Sequence, residues 1–428
     1  MDLILKNCTI INHDTQTQGH ILINKGFIED ILLNDDVVNT IEAAKVVDCK
    51  KYMVMPALID MHVHFRDPGF EYKEDIISGS QAAVAGGYTT CLCMGNTNPP
   101  ADNSSVIKYM IDKSEKLGLI DLHPYGCATI NRAGEQLVEM GDILDAGAIA
   151  FSDDGSPIMN SEGMRRALEY ANTFNTFIAT HSEDAHLAAD GQINEGNVST
   201  ITGLKGIPAA AEASMIARDL FLADLTKSHL HVCHVSTQLS LKLIRCAKVM
   251  GINVTAEVTP HHLLFTEDNL LTYDSNFKVN PPLRTTNDVN SLFDGIKDGT
   301  IDVIATDHAP HSIDEKHIEF ENAAFGIIGL QSTMPIMLQF VEDKKISINE
   351  IVKLASYNPS RILKLKKGRI EKKYIADIII VDVDKKYIYN ENIIKSKNYN
   401  TPLYGKTLKG ITVCTIKAGK IVYSLDKI

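Results

Sequence analysis

The chain has 428 residues, 44% of them hydrophobic and 22% charged, with a formal net charge of -12. That length holds one large core plus a small accessory module, and the composition is that of an ordinary globular protein. The acidic balance, with no basic tract to offset it, argues against a nucleic-acid partner, although a local arginine or metal ion can still hold a small anion. The eight cysteines are too scattered for a disulfide framework and include no CxxC zinc pair. The start, Met1 to Lys6, has neither a basic region nor a long apolar stretch, so no signal peptide or membrane span is expected and the expected location is cytoplasmic.

Residues 1–55 read as short strands at Leu3 to Ile11, His20 to Asn24, Phe27 to Leu33 and Lys45 to Asp48. Residues 56–362 form a separate unit in which strand and helix signals alternate. Its strands begin near Val54, Tyr88, Leu119, Ala148, Thr176, His229, Ile252 and Ile301. Amphipathic helices are expected at Asp75 to Ala85, Gly163 to Asn172, Ala209 to Leu225 and Thr237 to Met250. For the last, Ser236 is placed to cap, Leu239, Leu243, Ile244 and Ala247 make the apolar stripe, and Gly251 ends it. Residues 363–428 return to strands, at Asp377 to Val383, Gly410 to Ala418 and Lys420 to Tyr423, and the lysines from Lys364 to Lys373 read as solvated surface. The fold class predicted is α/β: a TIM-like (β/α)8 barrel with a small β-sandwich formed by both chain ends. The alternative, an open doubly wound sheet, ordinarily carries a glycine-rich nucleotide loop, and neither GxGxxG nor GxxxxGK[ST] occurs.

Five segments each close an apolar run with metal-type ligands: His62 and His64, Asp153 and Asp154, His181, His234, and Asp307. Side chains alternate across a strand, so His62 and His64 share a face. Asp154 follows Ala150 and Ser152, His181 follows Phe177 and Ala179, and Asp307 follows Val303 and Ala305. The same parity puts His234 with Leu230 and Val232, and turns His229 and His231 towards the helices as structural residues. Oxygen and imidazole ligands without a thiolate suit Zn²⁺ or a similar divalent ion. Six ligands exceed one tetrahedral zinc, so two ions are expected, with one also possible. Such a site activates water as hydroxide, and Asp307 can act as general acid/base in attack on an amide-like carbonyl, or in its reverse.

With these residues placed, the chain resembles the amidohydrolase superfamily and, more narrowly, the bacterial-type (class I) dihydroorotases. The resemblance runs through Asp60 to Gly69, Glu71 to Asp75, Asn96 to Pro99, Phe151 to Gly155, His231 to Thr237, Ala256 to His262, Asn280 to Arg284, Ala305 to His311, and Phe325-Gly326. It implies reversible cyclisation of N-carbamoyl-L-aspartate to L-dihydroorotate in pyrimidine synthesis. It assigns His62 and His64 to one ion and His181 and His234 to the second, with Asp154 bridging and Asp307 both ligand and catalytic acid/base. Substrate contacts would come from His64, Phe65, Arg66, Asn96, Asn280, His311 and the main chain of Phe325 and Gly326. Many relatives bridge with a carboxylated lysine, and none lies near Asp153 and Asp154 here. Asp153 is expected to bond neighbouring backbone, and His261 and His262 are left without a role. A homodimer, and association with aspartate transcarbamoylase, are further implications. The rival readings are a hydantoinase or allantoinase on the same barrel, and a non-catalytic dihydroorotase-like subunit.

Overall fold

The computed structural model describes residues 1–33 and 35–426. Both chain ends enter one eight-stranded sheet, in the order Lys420–Ser424, Thr407–Lys417, Ile378–Ile388, Met53–Pro56, Leu3–Ile11, Gln16–Asn24 and Phe27–Leu32, with Lys45–Asp48 also paired to Leu3–Ile11. The short strand Met53–Pro56 makes the join: Val54 pairs in parallel with Ile10 and antiparallel with Ile380. Residues from the two ends, among them Leu5, Ile10, Ile21, Ile378 and Ile416, share one buried core. Val54, expected to open the barrel, therefore belongs to the terminal sheet, because its pairing partners lie in both chain ends.

The barrel consists of β1 (Leu58–Val63), β2 (Tyr88–Cys93), β3 (Asp121–Gly126), β4 (Ala150–Phe151), β5 (Phe177–Thr180), β6 (His229–Val232), β7 (Val254–Val258) and β8 (Val303–Ile304). Neighbours pair in that order. A bridge between Val63 and His308 closes the ring, with the His64 amide donating to the His308 carbonyl at 2.9 Å. Parallel strands in such a ring bury both faces. Ile59, Met61, Leu92, Tyr125, Ala150, Phe177, Ala179, Val303 and Ala305 form one interior cluster. Leu58, Phe151, Ile178, Leu230, Val232 and Ile304 belong instead to the core that includes the surrounding helices.

Several of the helices between strands start under side-chain caps. Asp75 accepts from the Ser78 amide at 2.7 Å to open Ile76–Gly86, a contact of the kind worth about 1 kcal/mol. Gln238–Val249 is capped by Thr237, whose hydroxyl accepts from the Ser240 amide at 3.1 Å, rather than by Ser236, whose hydroxyl donates to buried Glu212. Its inner face carries Leu241, Ile244 and Ala247, and Leu239 is exposed. Within the expected lysine-rich surface, Lys367 is a correction: it is buried, donating to Asp121, to Asp377 at 2.7 Å and to Thr90 at 3.0 Å. Among the described residues, no helix is long and apolar enough to cross a membrane.

Candidate metal centre and active site

The expected ligands converge at the C-terminal mouth of the barrel. His62 and His64 leave β1 on a common side, with their Nε2 atoms 3.5 and 3.0 Å from Asp307 Oδ1. His181 Nδ1, beyond β5, and His234 Nε2, beyond β6, stand 3.0 Å apart. Asp154 lies between the pairs. Its Oδ1 is 3.6 Å from His62 Nε2, 3.7 Å from His234 Nε2 and 3.8 Å from His181 Nδ1, and its Oδ2 is 3.6 Å from His64 Nε2. Two ligand atoms about 2.0–2.1 Å from one tetrahedral ion stand about 3.3 Å apart, so these separations are those of donors around cations. His62, His64 and Asp307, and likewise His62, Asp154 and His234, form buried groups whose ligand atoms all lie within 4.8 Å of one another.

The donors also fit a cation electrostatically. His62 Nε2 and Asp154 Oδ1 are buried and have no hydrogen-bond partner, an arrangement that is costly unless an ion satisfies them. Burial opposes the charge on Asp307, yet the facing His62 and His64 hold its carboxyl well below the usual range. Asp154 is lowered in the same way against its burial, chiefly by His62. The far side of His62 is fixed as well: Nδ1 lies 2.7 Å from Glu257 Oε1, and Glu257 Oε2 lies 3.1 Å from His231 Nε2. This presents Nε2 to the ion position, the carboxylate–histidine arrangement of metal sites.

Parity placed Asp154, His181 and Asp307 correctly, and it failed on β6. His229 and His231 face the interior, with ring centroids 5.0 and 5.8 Å from Phe177, while Leu230 and Val232 face outwards. His234 reaches the site because its backbone takes a φ of 34°, which reverses the alternation after Cys233. Asp153 turns away from the ligands and accepts from the amides of Ala128 at 2.8 Å and Thr129 at 3.2 Å.

A cavity of about 350 Å³ opens over the ligands, lined by His64, Arg66, Asn96, Arg132, Asp154, Gly155, His181, His234, Asn280, Asp307, Ala309, His311, Phe325 and Gly326. Arg66 Nη2 lies 3.3 Å from His311 Nε2, whose Nδ1 faces Glu315 Oε2 at 3.3 Å. Burial lowers the His311 pKa to about 4, leaving it neutral beside the guanidinium. Asn96 Oδ1 accepts from His64 Nδ1 at 3.0 Å, and the Asn280 amide lies 3.5 Å from His181 Nε2. Phe65 departs from expectation: it is fully buried, its ring in the core against Gly79, and it does not line the cavity. His262 spans from Thr259 Oγ1, at 2.8 Å, to the Pro281 carbonyl, at 2.9 Å, and so braces the Asn280 segment. Sequence reasoning passed over Glu257 and Arg132. A lone carboxylate between the apolar residues Ala256 and Val258 was the available signal for Glu257; Arg132 lies in a loop with no such pattern.

A family model described as "Dihydro-orotase-like" matches residues 51–240. The dihydroorotase of Pelobacter propionicus is 44% identical over 99% of this chain and 100% of its own length. The chain belongs to the dihydroorotase family. A dihydroorotase from a Thermoanaerobacter species is likewise 44% identical, over 100% of this chain and 98% of its own. Among solved structures, the L-hydantoinase of Arthrobacter aurescens superposes with a TM-score of 0.89, covering 100% of this chain and 97% of that one, at 24% identity. That likeness establishes a shared fold. The dihydroorotase family and the ligand clusters together make the protein a metal-dependent hydrolase of the amidohydrolase type.

Proposed function

We propose that this chain interconverts N-carbamoyl-L-aspartate and L-dihydroorotate, closing the ring with loss of water in the biosynthetic direction. The observation that carries the reading is Arg66, a guanidinium set in the same cavity as five of the six proposed ligands, His64, Asp154, His181, His234 and Asp307. A planar fork of this kind binds a carboxylate in a defined orientation, which a neutral cyclic amide does not require.

Zinc is the proposed ion: His62, His64 and Asp307 would hold one, His181 and His234 would hold a second, and Asp154 is placed to serve either. When bound, such ions lower the pKa of water and polarise a carbonyl. In ring opening, Asp307 takes the proton from the attacking water and delivers it to the departing ring nitrogen; closure runs the same transfer backwards. Arg66 and His311 hold the substrate carboxylate, while Asn96 and Asn280 orient the polar edge without adding charge. Main-chain groups of Phe325 and Gly326 border the ring. The family resemblance alone carries the expectations of a homodimer and of association with aspartate transcarbamoylase, which sedimentation and co-purification test.

Ring opening of dihydroorotate, assayed before and after chelation with metal content measured on the same sample, tests the reading. Activity that tracks bound metal supports it. Turnover of hydantoin without dihydroorotate transfers the chain to the hydantoinase reading, and metal-loaded protein without activity revives the non-catalytic subunit.

A further inference from the structure

Residues 317–331, which carry Phe325 and Gly326 to the cavity, form no long helix or strand. The buried parts of such a segment must find partners for their carbonyls outside regular structure. Two buried lysines supply them. Lys316 Nζ donates to the carbonyls of Ala324 at 2.8 Å, Gly326 at 3.0 Å and Lys278 at 3.3 Å. An ammonium has three donors and no acceptor, so this cradle uses all of them. Lys278 Nζ donates to Phe320 at 2.7 Å and Glu321 at 2.9 Å, and lies 4.6 Å from the centre of the Phe325 ring. Both side chains are 1% exposed.

The two clasps are reciprocal. The Lys278 carbonyl that receives Lys316 also accepts from the Gly326 amide at 2.9 Å, and Lys278 stands two residues before Asn280. The two cavity walls, Asn280 on one side and Phe325-Gly326 on the other, are therefore tied at their bases by the same few atoms. Gly326 has a φ of 144°, and a Cβ there would meet the Ala309 carbonyl at 2.7 Å. Its backbone is thus closely confined, and Asn400 Nδ2 donates to the same Gly326 carbonyl as Lys316, at 3.1 Å.

We infer that Lys316, seconded by Lys278, is a positioning residue for substrate recognition, presetting the Phe325-Gly326 main chain against Asn280 before substrate arrives. The inference rests on the proposed cavity assignment. Neither lysine lines the cavity, so each acts through the backbone it holds. Preorganised contacts of this type improve binding because ordering is complete before association.

The test uses the metal-loaded full chain. Lys316→Met keeps the length and removes the donors; it is expected to raise KM for dihydroorotate about tenfold, with kcat changed less than about threefold, and with bound metal per chain unchanged. A purely structural lysine would instead lower kcat, through a smaller folded fraction, at constant KM, and that result overturns the inference. Arg66→Lys and Asn280→Ala serve as controls. If they raise KM and K316M does not, the positioning role fails alone; if none of the three raises KM, the cavity assignment fails first. Should K316M not fold, hydrogen exchange on the wild-type enzyme decides. Protection of the Gly326 amide without substrate supports presetting, and protection that appears only on adding dihydroorotate overturns it.

Discussion

Glu257 and His62 are both fully buried, 195 residues apart in sequence, and joined by a 2.7 Å contact between Oε1 and Nδ1. Burial alone would raise the Glu257 pKa, but His62 and His231 bring it down to about 2. The carboxylate is thus charged throughout the working range, and it sets which imidazole nitrogen faces the candidate metal position. Replacing it acts on metal retention before it acts on chemistry. Glu257→Gln keeps an acceptor and is expected to weaken metal binding modestly. Glu257→Leu removes the acceptor and should cost about 10–100-fold in affinity. Competition with a chromophoric chelator ranks the two, and equal affinities would show that Glu257 does not orient His62.

The adjacent aspartates should separate cleanly. Asp154→Ala removes the oxygens lying between both histidine pairs, so bound metal and activity are expected to fall together. Asp153→Ala leaves the Ala128 and Thr129 amides without their acceptor, at a cost of about 1–3 kcal/mol for each group left unsatisfied. Its expected signature is a lower melting temperature with metal content retained. Metal analysis and thermal melts on the two purified variants check the division.

How far the sequence reached is seen in the same residues. Asp154, His181 and Asp307 were legible because each lies one to three residues beyond a strand end and keeps the parity of the inward face, Asp307 doing so in spite of a φ of 46°. His234 was placed at the site on a parity argument that its φ of 34° invalidates, and the same argument sent His229 and His231 the wrong way. Backbone reversals at strand ends leave no periodic trace. Val54 was assigned to the barrel because an apolar strand looks the same in either sheet; only its pairing with Ile10 and Ile380 decides. Glu257, Lys316 and Lys278 were invisible as partners, since each bonds groups that topology, not sequence proximity, brings near.

Arg66→Lys tests the carboxylate fork directly. Lysine keeps the charge but loses the planar pair of donors, and it also loses the Nη2 contact with His311. The expected loss is about 10–100-fold in kcat/KM, or about 1.4–2.7 kcal/mol, carried mostly by KM. The fall should be the same for carbamoyl-aspartate and dihydroorotate, since both carry the carboxylate. Assays in both directions with unchanged KM would remove Arg66 from the binding role.

Lys367 marks where the terminal sheet is fastened to the barrel. Its ammonium reaches Thr90 on β2, Asp121 on β3 and Asp377 just before Ile378–Ile388, and both Lys367 and Asp377 are buried. Removing one partner of a buried pair leaves the other charge uncompensated, at a cost of about 3–5 kcal/mol. Lys367→Met is expected to destabilise by that order, read as a lower denaturant midpoint. The junction also sets an acid limit. Burial raises the Asp121 pKa, and Lys367 and Lys417 outweigh it, so the folded value lies below the ordinary one. A depressed carboxyl contributes stability that is complete above its unfolded pKa, about 3.9, and is lost as pH falls through the folded value. Acid titration of the wild type should therefore lose stability below about pH 4, and Asp121→Asn should remove part of that slope. An unchanged slope in D121N would place the acid-sensitive groups elsewhere, and a full-strength K367M would detach the two units from this contact.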